Sequence, residues 1–210
     1  MPDERPNIIL IMPDQMRGDC LSCDDHPAVL TPNVDQLAAQ GTRFSRGYST
    51  IPSCIPARRC LLTGQFPATS GVVGFGGGPI DVPTLPGMLR DHGYQTHMVG
   101  RYMHQTPASC RYGFDSQTLG SSHVVGHLSD QFLRHETDHV DGFFSHGLSF
   151  NGWTARAWHM DEAMHPTNWV VNESLRFLQH RDETCPFFLT MSFYAPHPPL
   201  CPPQFFMDRY

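Results

Sequence analysis

Two apolar stretches, each ending in polar side chains, constrain the fold of this chain more than any other feature. Residues 7–12 read Asn-Ile-Ile-Leu-Ile-Met and lead into Asp14 and Gln15, and residues 185–193 lead in the same way to His197. Such runs are typical of buried strands, and the first has the pattern of a central strand buried on both faces. Because parallel sheets bind ligands beyond the carboxyl ends of their strands, we expect Asp14, Gln15 and His197 to share one edge.

Helix signals alternate with these strands. Residues 31–41 begin with Thr31 as a potential cap and Pro32 in the first turn, and they end at Gly41. Further helices are predicted for residues 59–63, 84–93 and 168–179, and a further strand for residues 96–100. This alternation predicts an α/β fold in which helices sandwich a mostly parallel central sheet.

Apolar positions at helical spacing predict which sides of the first and last helices are buried. The expected buried residues are Val34, Leu37 and Ala38 on the first, and Val170, Val171, Leu175 and Leu178 on the last. The five glycines of residues 71–78 favour a loop. Residues 105–165 show no regular pattern, and we interpret them as an insertion over the edge of the sheet.

Composition excludes several classes of protein. A formal charge of −6 gives no basic surface for nucleic acid. No apolar run approaches the roughly 20 residues of a membrane helix, and no signal-peptide core follows the acidic N-terminus, so we expect a cytoplasmic protein. All 14 basic residues are arginine, whose planar guanidinium suits oxyanions.

The cysteines do not form a disulfide pattern. There are seven of them, an odd number, and no secretory signal accompanies them. Cys20 and Cys23 have the spacing of half a zinc knuckle, but no second pair follows at the required distance. We therefore keep a zinc module only as a remote alternative to two reduced thiols.

The most specific motif lies at residues 53–64, Ser-Cys-Ile-Pro-Ala-Arg-Arg-Cys-Leu-Leu-Thr-Gly. It resembles the signature of type I sulfatases, in which Cys-x-Pro-Ser/Ala-Arg precedes a short helix ending in Leu-Thr-Gly. The resemblance implies a fold of the alkaline phosphatase superfamily. It also implies that Cys54 is converted to Cα-formylglycine by a formylglycine-generating enzyme, which would be a partner of this protein.

The implied chemistry explains the modification. A hydrated aldehyde carries two hydroxyls on one carbon; one attacks sulfur and the alcohol leaves, and deprotonation of the other then expels sulfate. A serine sulfate ester would lack that exit. Arg58 offers a bidentate fork to the hydrate or to the sulfate. For an isolated motif, a buried structural thiol at Cys54 remains the alternative reading.

The start of the chain resembles the first strand of sulfatases, where two adjacent residues bind a divalent cation. Asp14 and Gln15 stand at these positions, and the resemblance makes them, with the modified Cys54, the implied metal ligands. Their oxygens suit Ca²⁺ first, with Mn²⁺ or Mg²⁺ as alternatives. The Asp-Gln pair also resembles the phosphonate and phosphate ester hydrolases of the same superfamily.

Two further segments match the family in part. Residues 93–104 are similar to Gly-Tyr-x-Thr…Gly-Lys-Trp-His, with Arg101 in place of lysine and Met103 in place of histidine. His104, one residue later, is a candidate acid or base only if the loop is shifted. His197 matches the family's Pro-His-x-Pro segment, and the resemblance implies that it protonates the leaving alkoxide or stabilises the sulfate charge. Arg101 is implied to contact a sulfate oxygen, but an arginine is a poor proton donor.

The resemblance covers nearly the whole chain, but the family's second acidic metal-binding pair has no counterpart here. We therefore expect residues 1–210 to be the N-terminal part of a single catalytic domain, apparently truncated, which alone binds metal poorly and is inactive. The leading hypothesis is a sulfatase acting on a small-molecule or sugar sulfate ester. The alternatives are a phosphonate or phosphodiester hydrolase and a degenerate, non-catalytic binding protein, and the oligomeric state is left open.

Overall fold

The computed structural model describes residues 4–101, 110–120, 146–149 and 151–210. Within them one sheet contains four parallel strands in the order β1-β4-β2-β3. The strands are β1 (Ile8–Asp14), β2 (Gln95–Gly100), β3 (Ser116–Leu119) and β4 (Phe187–Pro196). The predicted α/β class is confirmed. Strand β3 was not predicted, because its sequence Ser-Gln-Thr-Leu carries no apolar run and it lies in the segment taken for an insertion.

Helices precede and follow the strands as expected. They are α1 (Pro32–Gln40), α2 (Cys54–Thr63), α3 (Pro67–Ser70), α4 (Leu85–Asp91), α5 (Pro166–His180) and α6 (Gln204–Met207). Short 3₁₀ turns occupy Ser22–Asp24 and Glu162–Met164. Helix α2 begins at Cys54 itself rather than after it, which corrects the predicted start. None of the helices in the described ranges has the length and apolar character needed to cross a membrane.

Two apolar clusters pack on opposite faces of the sheet. On one face, Leu62 of α2 packs with Met98 of β2 and Phe188 of β4, and residues of α4 adjoin them. On the other face, Trp169 and Val170 of α5 pack with further residues of β2 and β4. The sheet is therefore the middle of three layers, as predicted, and its strand ends are held between the helices.

The predicted buried sides of two helices need correction. On α1, Val34 and Leu37 are 41% and 63% exposed, because this helix is attached to the loop after β1 by polar contacts. The Asp35 carboxylate accepts hydrogen bonds from the Ser22 hydroxyl (2.7 Å) and the Cys23 N–H (3.0 Å). On α5, Leu175 is exposed, and the buried side is formed by Trp169, Val170 and Ser174.

Strand β1 lies at the edge of the described sheet, not at its centre. Ile8, Leu10 and Met12 pack against the α2 and α4 layer, whereas Ile9 and Ile11 are 47% and 57% exposed on the opposite side. Helix α5 packs against β2 and β4, and it has no packing of similar extent on β1. The sequence could not separate the two sides, because every residue from Ile8 to Met12 is apolar.

The exposed side of β1 predicts self-association of the 210-residue chain. We expect Ile9→Thr together with Ile11→Thr to reduce aggregation and hydrophobic-dye binding without lowering the free energy of unfolding, because threonine keeps the strand preference and removes the exposed apolar surface. Sedimentation velocity measures the aggregation, and dye fluorescence measures the exposed apolar surface. The matched control, Leu10→Ala on the buried side, should instead lose about 2 kcal/mol of stability. Equal aggregation of the threonine variant would contradict the prediction.

His97 on β2 predicts an acid-sensitive fold. Its ring is 7% exposed and stacks on Phe177 of α5, with ring centroids 4.6 Å apart, while Nδ1 lies 2.7 Å from the Ser116 hydroxyl. Burial lowers the pKa of His97 to about 4. The unfolded chain therefore takes up a proton near the ordinary pKa of 6.5, at a pH where the folded chain does not.

Stability from this residue is thus complete above about pH 6.5 and is lost as the pH falls from 6.5 to 4. Between pH 7 and pH 4, we expect the wild type to lose roughly 3 kcal/mol more unfolding free energy than His97→Gln does. Urea titrations at several pH values measure the difference, with the exposed His92→Gln as control. Parallel losses in the wild type and His97→Gln would show that His97 is not responsible.

Candidate active site

The carboxyl ends of β1, β2 and β4 and the start of α2 surround a cleft of about 920 Å³. Six of the seven predicted site residues line this cleft: Asp14, Gln15, Cys54, Arg58, Arg101 and His197. The seventh, His104, lies outside the described residues, so its role stays a prediction. Side chains at the ends of three strands and in one helix, up to 183 positions apart in the chain, therefore meet at the predicted sheet edge.

The end of β1 is shaped to present Asp14 and Gln15. The pairing register between β1 and β4 shifts between Met12 and Asp14, an irregularity that redirects side chains where a strand ends. Asp14 is buried, and Gln15 is exposed with φ of 59°, in the left-handed region that non-glycine residues seldom adopt. Backbone strain of this kind is held in place most often at functional sites.

Gly100 allows Arg101 to reach the end of β1, where Asp14 lies. It ends β2 with φ of 98°, and a Cβ atom at this position would lie 2.1 Å from the Ser192 carbonyl oxygen of β4. Only glycine permits so close an approach of the two strands. The Arg101 N–H then donates to that same carbonyl at 2.7 Å, which extends the pairing one residue beyond the strand.

Cys54 occupies the first position of α2. Ser53 precedes the helix, and the first intrahelical bond runs from the Ala57 N–H to the Ser53 carbonyl at 3.0 Å. Pro56 in the first turn has no N–H to leave unsatisfied, which suits this place in a helix. The half-buried thiol of Cys54 thus lies at the positive end of the helix dipole, which favours a negative group beside it.

Asp14 binds two arginines at once. Arg58 Nη2 and Arg101 Nη1 each lie 2.7 Å from Asp14 Oδ2, and all three side chains are at most 8% exposed. Arg58 Nη1 also donates to the Ser192 hydroxyl at 3.0 Å. Burial, and secondly the nearby Arg101 charge, lowers the pKa of Arg58. Two guanidinium groups against one carboxylate leave one net positive charge in the cleft wall.

Arg101 has donor capacity that the described residues do not use. Its Nε is buried without a hydrogen-bond partner among them, and its contact with Asp14 is an ion pair by distance rather than a well-aligned hydrogen bond. The guanidinium lies over the ring of Tyr194, 5.2 Å from the centroid. Buried donors are normally satisfied, so the unmatched Nε of Arg101 and the excess charge together favour a bound anion.

Sequence reasoning missed two residues of the site, Ser192 and Tyr194. Both belong to β4 and are buried. Ser192 contacts Arg58, and the Tyr194 hydroxyl lies 2.8 Å from His197 Nδ1. The available signal was a polar atom at alternate positions of an otherwise apolar strand just before the His197 turn, which places both on one face.

Other candidates lie elsewhere. Cys20 and Cys23 are half-buried in the loop after β1, and no cluster of three or more His, Cys, Asp or Glu side chains in the described ranges has metal-binding geometry. His165 caps the N-terminus of α5, where its Nδ1 accepts from the Thr167 N–H at 3.1 Å. Among the other histidines of the irregular region, His123, His127, His135 and His139 lie outside the described residues.

Comparison with known proteins identifies relatives of the whole chain. The sequence model of the family described as Sulfatase matches residues 6–209. An arylsulfatase of Clostridium perfringens is 39% identical over 223 residues, which cover 98% of this chain and 46% of that protein. An N-acetylglucosamine-6-O-sulfatase of Bacteroides thetaiotaomicron is 30% identical over 199 residues, covering 92% and 31%. The chain therefore spans less than half the length of these relatives.

Solved structures share the fold. A phosphonate monoester hydrolase of Agrobacterium radiobacter superposes with a TM-score of 0.81 at 26% identity, covering 98% of this chain and 44% of that one. A protein solved with its substrate D-glucosamine-2-N,6-O-disulfate superposes with a TM-score of 0.65 at 26% identity, covering 92% and 35%. The sheet is thus that of the alkaline phosphatase-like fold, as the sequence predicted.

The unbalanced charge predicts oxyanion binding by the chain itself. We expect low millimolar sulfate, against sodium chloride of equal ionic strength, to raise the melting temperature with a saturable dependence. Arg101→Met should abolish the saturable shift yet stay folded, because Asp14 and Arg58 remain as a neutral pair. Arg90→Met, which removes an exposed arginine paired with Asp91, is the matched control and should keep the shift. A shift that survives Arg101→Met would place the anion elsewhere.

Proposed function

Because the chain belongs to the sulfatase family, we propose that it is the N-terminal part of a hydrolase that cleaves sulfate esters through a nucleophile made from Cys54. The observation that carries the proposal is the convergence of Cys54 with the Asp14–Arg58–Arg101 cluster in one cleft. A sulfate ester is an anion, so a preformed positive site beside the nucleophile favours its binding and reaction, and this cluster provides one.

Each residue has a task that follows from its chemistry. Arg58 and Arg101 bind the sulfuryl oxygens with guanidinium forks that Asp14 and Ser192 hold in fixed orientation. The conversion of Cys54 to formylglycine would supply the paired hydroxyls needed to attack sulfur and then to release sulfate. His197 at the rim of the cleft donates a proton to the departing alkoxide.

The residues at the end of β1 offer the types of donor atom that a divalent cation requires. Asp14 and Gln15 offer a carboxylate and an amide oxygen, the donors that Ca²⁺, Mg²⁺ and Mn²⁺ prefer. Both arginine contacts of Asp14 go to Oδ2. A cation held there would offset charge on the sulfuryl oxygens. We propose that these residues, with the modified Cys54, supply half of a site whose other ligands come from a part of the protein beyond residue 210.

We further propose a sulfated small molecule or sugar as substrate and a formylglycine-generating enzyme as partner. A structural relative with its glucosamine disulfate substrate supports the sugar. The alcohol part of the substrate is not defined by Arg58 and Arg101, because both groups address the sulfate. Residues 1–210 would then form one part of a single catalytic domain rather than a domain of their own.

A second candidate is a phosphonate or phosphate diester hydrolase with the same nucleophile. Gln15 favours it, because the Asp14–Gln15 pair at the end of the first strand resembles that branch of the superfamily, whereas sulfatases often carry two aspartates there. The TM-score of 0.81 with the phosphonate monoester hydrolase supports it as well. Arginine forks bind either oxyanion, so turnover must decide between them.

Modification of Cys54 tests the proposal most directly. After co-expression with a formylglycine-generating enzyme, we expect mass spectrometry to find the aldehyde in the tryptic peptide that ends at Arg58. The full-length enzyme should then hydrolyse aryl sulfate, and Cys54→Ala should abolish turnover. Cys60→Ala is the matched control from the same helix, and it should keep both the modification and the activity.

Each outcome of this experiment distinguishes between the candidate functions. An unmodified Cys54 thiol under these conditions would favour the non-catalytic binding protein. A modified enzyme that cleaves aryl phosphonate in preference to aryl sulfate would favour the second candidate. Equal turnover by the wild type and Cys54→Ala would remove Cys54 from the mechanism.

A further inference from the structure

Tyr194 connects the two groups that the proposed function places on opposite sides of the sulfate ester. Its side chain is 8% exposed near the end of β4, and the His197 N–H donates to its carbonyl at 3.1 Å, which closes a turn. The face of its ring lies under Arg101, 5.2 Å from the guanidinium carbon. Its hydroxyl lies 2.8 Å from His197 Nδ1. One phenol therefore touches both the arginine and the histidine.

The Pro198 carbonyl completes a compact cluster around that hydroxyl. Its oxygen lies 2.7 Å from His197 Nδ1 and accepts a hydrogen bond from the Tyr194 hydroxyl. The carbonyl has two lone pairs and no proton, so it accepts from both neighbours. Burial raises the pKa of Tyr194, so the phenol keeps its proton for this bond.

This geometry selects one tautomer of His197. A bare Nδ1 would direct its lone pair at the lone pairs of the Pro198 oxygen 2.7 Å away, which is repulsive; a protonated Nδ1 donates to it instead. Nδ1 therefore carries hydrogen in the neutral ring as well as in the charged one. Proton exchange with a substrate then takes place at Nε2.

We infer that Tyr194 is a positioning residue that holds Arg101 and His197 in one unit and, with the Pro198 carbonyl, fixes His197 as the Nδ1–H tautomer. Its catalytic consequence rests on the proposed function. The ring face keeps the guanidinium beside Asp14, and the hydroxyl keeps the imidazole in the orientation that brings Nε2 to the ester oxygen. Both effects act through other residues, so Tyr194 itself need not touch the substrate.

The tautomer is measurable without turnover. In protein labelled with ¹⁵N in the histidine rings, a protonated and a bare ring nitrogen have widely separated chemical shifts, and a His197→Gln spectrum assigns the signals. We expect His197 to be Nδ1–H at neutral pH. The Nε2–H tautomer, or an averaged signal of both, in the wild-type protein would overturn the inference.

Two substitutions separate the hydroxyl from the ring. Tyr194→Phe keeps the aromatic face and removes the hydroxyl, so we expect averaging of the His197 ring signals and, in the full-length modified enzyme, about tenfold lower kcat with little change in KM. Tyr194→Leu also removes the aromatic face, so sulfate binding through Arg101 should weaken on the order of fivefold in addition. Circular dichroism and unchanged spectra of distant residues verify folding.

Tyr94→Phe is the matched control. Tyr94 is also buried, and Arg5 lies over its ring at 5.2 Å, but it packs in the core on the α2 and α4 side of the sheet. The Tyr94→Phe substitution should alter neither the His197 tautomer nor the values of kcat and KM. Equal losses of kcat and of sulfate affinity in both Tyr194 variants would reduce Tyr194 to a general packing role.

These results remain distinguishable from a failure of the proposed function. If the enzyme prefers phosphonate, or if Cys54 stays unmodified, the tautomer and the sulfate-dependent melting shift still report on Tyr194. If sulfate turnover is confirmed while Tyr194→Phe matches the wild type in tautomer and kcat, only the inference about Tyr194 is overturned.

Discussion

The carboxylate of Asp14 is the interaction on which the rest of the site depends. It lies 2.7 Å from two guanidinium groups, and all three side chains are nearly inaccessible to solvent. An unpaired buried charge costs several kcal/mol, so neither arginine would be stable there without it. The three partners come from the end of β1, the first turns of α2 and the residue after β2. One carboxylate therefore fixes how the ends of two strands and a helix meet, and the glycine before Arg101 makes the approach sterically possible.

The same arrangement leaves the cluster with one net positive charge, and this charge connects the structure with the proposed function. A fold selected for stability alone gains little from a buried pair of like charges, since apolar residues of similar volume would serve as well. Here the excess charge lies in the wall of a cleft, close to the positive end of the α2 dipole and to Cys54. Donors fixed in place before the anion arrives need no rearrangement during reaction.

Much of this was readable from the sequence, and the limits have physical causes. The run before Asp14 and the one before His197 predicted the parallel strands and the shared edge, because strand polarity alone brings their ends together. The position of β1 within the sheet was not readable, since Ile9 and Ile11 are as apolar as their buried neighbours. The polar attachment of α1 left its apolar side exposed, which no periodicity could reveal. The role of Tyr194 was not predicted, because it depends on contacts across the turn that follows this residue.

Burial is graded across the site, and the gradient agrees with the order of events in the proposed hydrolysis. Arg58 and Arg101, which we propose bind the oxyanion, are enclosed, and a low dielectric strengthens electrostatic attraction there. Cys54 and His197 are half-buried at the rim. In the proposed mechanism, an ester places its charged end deep in the cleft while its alcohol stays near the opening, where His197 would donate the proton that releases it. With these roles, selectivity for the oxyanion belongs to the rigid core of the sheet, and selectivity for the alcohol belongs to whatever segments surround the rim.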